Sequence, residues 1–131
     1  MPPSSYDYAV IRVVPRVDRG EFVNAGIVLA CARLGFLQTG LALDEARLLA
    51  LDPAADVAAI EAALAVFAQI CAGGEKAGAL GRLSLRERFD WLVAPRSSSV
   101  QTSPVHSGRS SGDLTATLDH LMQRMVRRLP G

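Results

Sequence analysis

Apolar and polar positions along this chain change rhythm near residue 43. Over residues 6–14, "YDYAVIRVV" alternates as a strand does: Tyr8, Val10, Arg12 and Val14 point one way, and Ala9, Ile11 and Val13 the other. Both sets are largely apolar, so the strand is expected to be central or covered on both faces. Pro15 cannot continue a ladder and ends it. "PRVDRGE" follows as a connection with Asp18 and Gly20 as turn residues. "FVNAGIVLACARLGFLQTGLAL" predicts a hairpin, with arms at residues 23–33 and 36–42 about Arg33-Leu34-Gly35. Gly26 inside the first arm predicts a bulge or a close backbone approach. The three strands should be consecutive and antiparallel, because such short connections cannot make a crossover.

The helical rhythm begins with a short helix near residues 44–50. A longer helix is predicted over residues 53–72, with Asp52 as N-cap and Pro53 at the first helical position. Val57, Ile60, Leu64, Phe67 and Cys71 form its core-facing stripe, and Gly73-Gly74 stops it. "GGEKAGALG" reads as a surface loop. Ser84 and Glu87 form a capping box ahead of a helix with Leu85, Phe89 and Leu92 on one face, which ends before Pro95. The last helix carries Leu114, Leu118, Leu121, Met125 and Leu129 as an apolar stripe. Arg124, Arg127 and Arg128 crowd its final turns, where cations meet the negative end of the helix dipole.

Residues 92–113 are the most polar stretch and hold seven serines. Val100, Thr102 and Val105 are β-formers, and Pro95 and Pro104 stiffen the backbone. An edge strand near residues 98–103, followed by an ordered loop through Gly112, is therefore expected rather than a linker. Strands first and helices after predict an α+β domain. It should have an antiparallel sheet of about four strands with helices mainly on one face. The whole chain, 1–131, is expected as one domain, with residues 1–5 as a flexible tail.

Composition changes this picture little. A chain of 131 residues that is 50% hydrophobic can bury a real core without metal or disulfide staples. The net charge of +1 removes the simplest electrostatic case for nucleic-acid binding, so a nucleic-acid partner is not expected. No apolar run reaches the length of a membrane span, and no leader pattern opens the chain; a cytoplasmic location is the expectation. Cys31 and Cys71 lie in apolar contexts and read as buried thiols. No Cys/His cluster suggests a metal, and no cofactor is implied.

The candidate chemistry is a set of polar groups in the serine-rich stretch. Arg96 offers a bidentate cationic fork, Ser97 and its neighbours hydroxyls, Gln101 an amide and His106 an imidazole. The combination suits an anion or a partner carboxylate. No nucleophile elbow, zinc-protease motif or phosphate-cradling glycine loop is present, so no catalytic residue is assigned.

The blocks "YDYAVIRVVPRVDRGEFVNAGIVL", "LDEARLLALDP" and "LSLRERFDWLVAPRSSSVQTSPVHSG", in this order, resemble a bacterial family known as domain of unknown function 3037. The resemblance covers nearly the whole chain. It implies a bacterial cytoplasmic protein and brings in no catalytic residues. It also implies a possible partner, because members are often encoded beside kinase-like proteins of the HipA type. The positions that match the family's motifs are Arg12, Glu21, Asn24, Gly26, Arg96, Gln101 and His106. Read physically, Glu21 and Asn24 sit at the entry of the second strand, where Arg96 is expected to reach Glu21. These groups serve either as a rigidifying polar network or as a binding site. The expected function is a non-enzymatic interaction or accessory protein, a partner or regulator of a kinase-like protein. The alternative is a small enzyme or anion-binding domain acting on a phosphorylated or nucleic-acid substrate through Arg12, Arg96 and His106.

Overall fold

The computed structural model describes residues 3–130. Strands β1 (Ser4–Val13), β2 (Val23–Cys31) and β3 (Phe36–Leu41) form the expected antiparallel meander, in the spatial order β3-β2-β1. β1 begins at Ser4, so it takes in Ser4 and Ser5 of the expected tail; Met1 and Pro2 lie outside the described residues. The other side of β1 is filled by two short strands in succession. β4 (Val100–Thr102) pairs with Ile11–Val13, and β5 (His106–Ser110) pairs with Ser4–Tyr8, both antiparallel. The sheet thus has five strands where about four were expected. The sequence predicts an ordered loop there, because "HSGRS" has little intrinsic strand preference. Its partner strand supplies the hydrogen bonds that its composition does not advertise.

Ser103 bridges the gap between β4 and β5. Its N–H donates to the Val10 carbonyl at 2.8 Å, and its buried hydroxyl accepts from the Val10 N–H at 2.9 Å. One side chain thus does what a ladder residue would do, and the edge stays hydrogen-bonded through the interruption.

The sheet is buried on both faces. Ala9, Ile11, Val13, Val28 and Ala30 face a layer made by α1 (Glu45–Leu51), α2 (Val57–Ala72) and α3 (Leu85–Leu92). Val10, Ile27, Leu29 and Cys31 face α4 (Leu114–Met125) alone. Three of the four α-helices therefore lie on one side, and α4 forms a thin third layer. Both cysteines are free and buried, and burial pushes the Cys71 thiol up to about 12.

β2 ends at Cys31, two residues short of the expected arm, with a 3-10 turn over Ala32–Leu34, and β4 is shorter than the expected 98–103 strand; the helices differ further. α2 starts at Val57 with Asp56 as its N-cap, accepting from the Ala59 N–H at 3.0 Å, and not at Pro53. Asp52 has already closed α1 through its N–H to Leu48, and Asp52-Pro53-Ala54-Ala55 form the turn between the helices. The segment Glu75–Arg82 is a 3-10 helix kinked at Gly78 rather than an open loop. α4 stops at Met125, so Leu129 lies beyond it and is 78% exposed instead of completing the stripe. Pro130 disfavours helical backbone at the residue before it. The capping box at Ser84 and Glu87 forms as expected.

One ion pair ties the chain after α4 to the start of α1. Asp44 caps α1 through the Arg47 N–H and accepts two hydrogen bonds from Arg128. The Arg128 guanidinium holds the Asp44 carboxyl down at about 2, against an ordinary 3.8. A depressed folded-state value gives stability that is complete above the unfolded value and lost as pH falls through the folded one. Melting temperature should therefore drop as pH falls from about 4 towards 2, and Asp44→Asn should flatten that part of the profile. Superimposable profiles for the two proteins would show that this pair contributes nothing.

Candidate functional site

The helix layers differ in how much sheet they cover. α4 packs on β2 and β3, and on its side of the sheet the strip along β1 and its edge strands is only partly covered. Tyr6 and Tyr8 are half-buried there, and His106 is exposed. Strand register decides what else shares the strip. Tyr8 lies opposite His106, with ring centroids 5.4 Å apart, and Tyr6 continues the row at 6.1 Å from Tyr8. The Tyr6 ring lies over Gly108, where a Cβ would come within 2.5 Å of it. Further along, Arg12 lies opposite Gln101 on one side and Asn24 on the other.

A bulge puts Asn24 on this face. The β1–β2 register slips between Ile11 and Arg12, so that Ile11 faces Gly26 and Arg12 faces Asn24, with Ala25 left over. Unbroken alternation would have turned Asn24 to the opposite side. Asn24 then reaches the end of α4, where its Nδ2 donates to the Met125 carbonyl at 2.9 Å. The Arg12 guanidinium stacks on Phe22, 4.2 Å above the ring centroid. Arg12 Nε and Asn24 Oδ1 are both buried without a hydrogen-bond partner. Each such orphan costs about 1–3 kcal/mol, and these two belong to directly opposed residues. Among the described residues Arg12 has no ion-pair partner.

The other candidates lie apart. Arg96 does not meet Glu21. Its guanidinium stacks 4.3 Å from the Trp91 ring centroid and donates to the Trp91 carbonyl. Glu21 pairs instead with Arg19, its neighbour in the turn, at 2.6 Å. Both arginines found a partner within five residues, which is a shorter reach than the cross-sheet pairing required. Ser97 is exposed beside Arg96. Arg96 shares a cleft of about 330 Å³ with Gln101 and Ser103 at the sheet edge, and the Gln101 amide donates to the Ser98 carbonyl at 2.9 Å. Gly26 stands at the bulge with the Gly40 carbonyl close against it.

Sequence reasoning missed the aromatic members Tyr6, Tyr8 and Phe22. It also missed the Asp7 clasp, where one carboxylate accepts from Arg86 of α3 and Ser107 of β5, each at 2.7 Å. Those bonds hold the Asp7 carboxyl below its ordinary value. Tyr6 and Tyr8 could have been found from their alternation with the apolar face. Phe22 and Asp7 carry no signal of their own, since their roles come from partners about 10 to 100 residues away.

Chemically, the strip offers an imidazole, two phenols, two amides and a guanidinium on a β-framework. These groups stack and exchange hydrogen bonds. Among the described residues no three His, Cys, Asp or Glu side chains gather as metal ligands would, and no single helix is long and apolar enough to cross a membrane.

Fold and face together define an α+β domain with a five-stranded antiparallel sheet between unequal helical layers. The chain belongs to the family described as Protein of unknown function (DUF3037), which it matches over residues 8–126. Neither the curated proteins nor the solved structures hold a match to it.

Proposed function

We propose that this protein is a non-enzymatic interaction module that docks a protein partner along the β1 strip of the α4 face. The observation that carries the reading is Arg12. It is a half-buried guanidinium without an ion-pair partner among the described residues, flanked on one face by Asn24, Gln101 and the Tyr8–His106 pair. Arginine and aromatic side chains on a rigid, partly desolvated surface are the groups that dominate association energies. The alternative, chemistry through Arg12, Arg96 and His106, is less well supported. Arg96 is turned onto Trp91, whereas Arg12 is stacked on Phe22.

The partner class we propose is the kinase-like protein that the family resemblance implies. The test is a calorimetric titration of this protein with a kinase-like protein of the HipA type. A 1:1 complex is expected, and the Arg12→Ala, His106→Ala double variant should weaken it by at least about 30-fold, as loss of a hot spot does. Unchanged affinity in the folded double variant removes the β1 strip as the docking face. Absence of any complex with the wild-type protein removes the kinase-like partner.

A further inference from the structure

A second cleft, of about 690 Å³, opens where α4 ends. Phe22 and Asn24 form one wall, and Arg47, Arg124, Arg127 and Arg128 converge on it from α1, α4 and the segment after α4. No carboxylate is among its lining side chains. Arg127 is neutralised by Asp119 at 3.0 Å and Arg128 by Asp44, both from outside the cleft. Among the described residues Arg47 and Arg124 have no ion-pair partner.

Helix electrostatics explains only part of this gathering. Arg124 stands in the last turn of α4, where a cation is favoured. Arg47 stands in the first turn of α1, the end where a cation is disfavoured. The neighbouring Asp44 is already occupied by Arg128 and by its capping bond. One terminal carbonyl of α4, that of Met125, is taken by Asn24 rather than facing the cleft unpaired. Two guanidiniums without an ion-pair partner among the described residues therefore face one concave space, Arg47 feeling Asp44 only through space. Apolar surface borders them: Phe22 is 43% exposed and Leu129 is 78% exposed.

We propose that this cleft binds the dianionic phosphate of a monoester whose body is aromatic or apolar. Two free guanidinium forks match one phosphate monoester, which carries roughly −1.5 to −2 at neutral pH and offers three acceptor oxygens. Phe22 and Leu129 then cover the organic part. A single carboxylate would leave one fork unmatched. The volume lies within the range of about 300–1,000 Å³ common for small-ligand sites. The cleft borders the β1 strip at Phe22 and Asn24, but the arginines that carry this inference, Arg47 and Arg124, lie outside that strip, so it stands whether or not the strip takes a partner.

The test is titration of phenyl phosphate into the full chain, read by calorimetry and by phosphorus NMR. Saturable 1:1 binding is expected at pH 7.5, weakening by about tenfold at pH 5 as the phosphate loses its second charge. Arg47→Ala and Arg124→Ala should each weaken it about 10- to 100-fold. Arg82→Ala, on the kinked 3-10 segment, and His106→Ala, on the β1 strip, should leave it unchanged. A phosphotyrosyl peptide serves as the second arm. Tighter binding than phenyl phosphate assigns the group to a phosphorylated protein side chain, and equal or weaker binding assigns it to a free organic phosphate. No saturable binding of either probe overturns the proposal. So does full affinity in a folded Arg47→Ala, Arg124→Ala double variant, equal binding of phenol, or displacement of phenyl phosphate by a lower concentration of single-stranded RNA.

Discussion

Phe89→Ala should lower the stability of this protein by about 3–5 kcal/mol, the range for truncating a fully enclosed Phe. Phe89 is 0% exposed and sits mid-way along α3 among Leu92, Leu64 and the sheet residues of the larger core. Its removal leaves a cavity that the surrounding α2, α3 and β-strands fill only by moving together. It also removes the ring under Arg86, whose guanidinium lies 5.2 Å from the Phe89 centroid while it clasps Asp7 on β1. A single substitution thus loosens both the packing of α3 and its electrostatic tie to the sheet. Denaturant melts should show a lower midpoint at unchanged slope. A loss below about 1 kcal/mol would mean that α3 is not anchored by this residue.

Gly26→Ala should be nearly as damaging, by about 2–4 kcal/mol, although it adds only one carbon. The new Cβ would stand 2.5 Å from the Gly40 carbonyl oxygen and 2.9 Å from Leu41 Cδ2. The first of these is backbone and cannot swing aside, so β3 would have to move away from β2. Gly26 is needed here for close approach and not for an unusual backbone angle. The damage should extend to the β1 strip, because the bulge beside Gly26 is what brings Asn24 opposite Arg12. Amide exchange should therefore quicken in β3 and at the end of α4 together. A Gly26→Ala protein with wild-type midpoint and exchange would show that β3 yields freely.

These two positions illustrate what a reader of the sequence can see. Gly26 in an apolar run signals a bulge or a tight approach, and both are present. Phe89 falls out of the capping box and the helical spacing that follows it. The meander is legible for the same reason: its alternation and short turns are local. The edge of the sheet is not. β5 exists because Asp7 and Tyr8 lie opposite Ser107 and His106, a pairing about 100 residues long that leaves no periodic trace. The start of α2 differs from the sequence expectation because Asp52-Pro53 satisfies the rules for a helix start and for a turn equally, and only the preceding helix decides between them.

The candidate site divides in the same way. Arg12, Asn24, Gln101 and His106 were identifiable as residues, but their sharing of one face depends on a bulge and on two edge registers. Arg96 and Glu21 were expected to pair across the sheet, and each instead has a local partner. The arginine cleft was hidden for a further reason. Arg124, Arg127 and Arg128 read as ordinary cations at a helix end, and Arg47 joins them only in three dimensions.

The interruption at Ser103 and Pro104 bears on how copies of this chain treat one another. β1 runs for ten residues, and a continuous partner strand of that length would present a long row of unsatisfied amides and carbonyls to solvent. Such a row templates the addition of a strand from another molecule. Here the outer edge is divided into pieces of three and five residues, separated by a proline and with Arg109 on the longer one. Neither piece is long or flat enough to recruit a neighbour in register. The serine that keeps β1 hydrogen-bonded through the gap thereby lets the sheet end in two short steps, and this edge offers no long template of the kind that invites fibre growth.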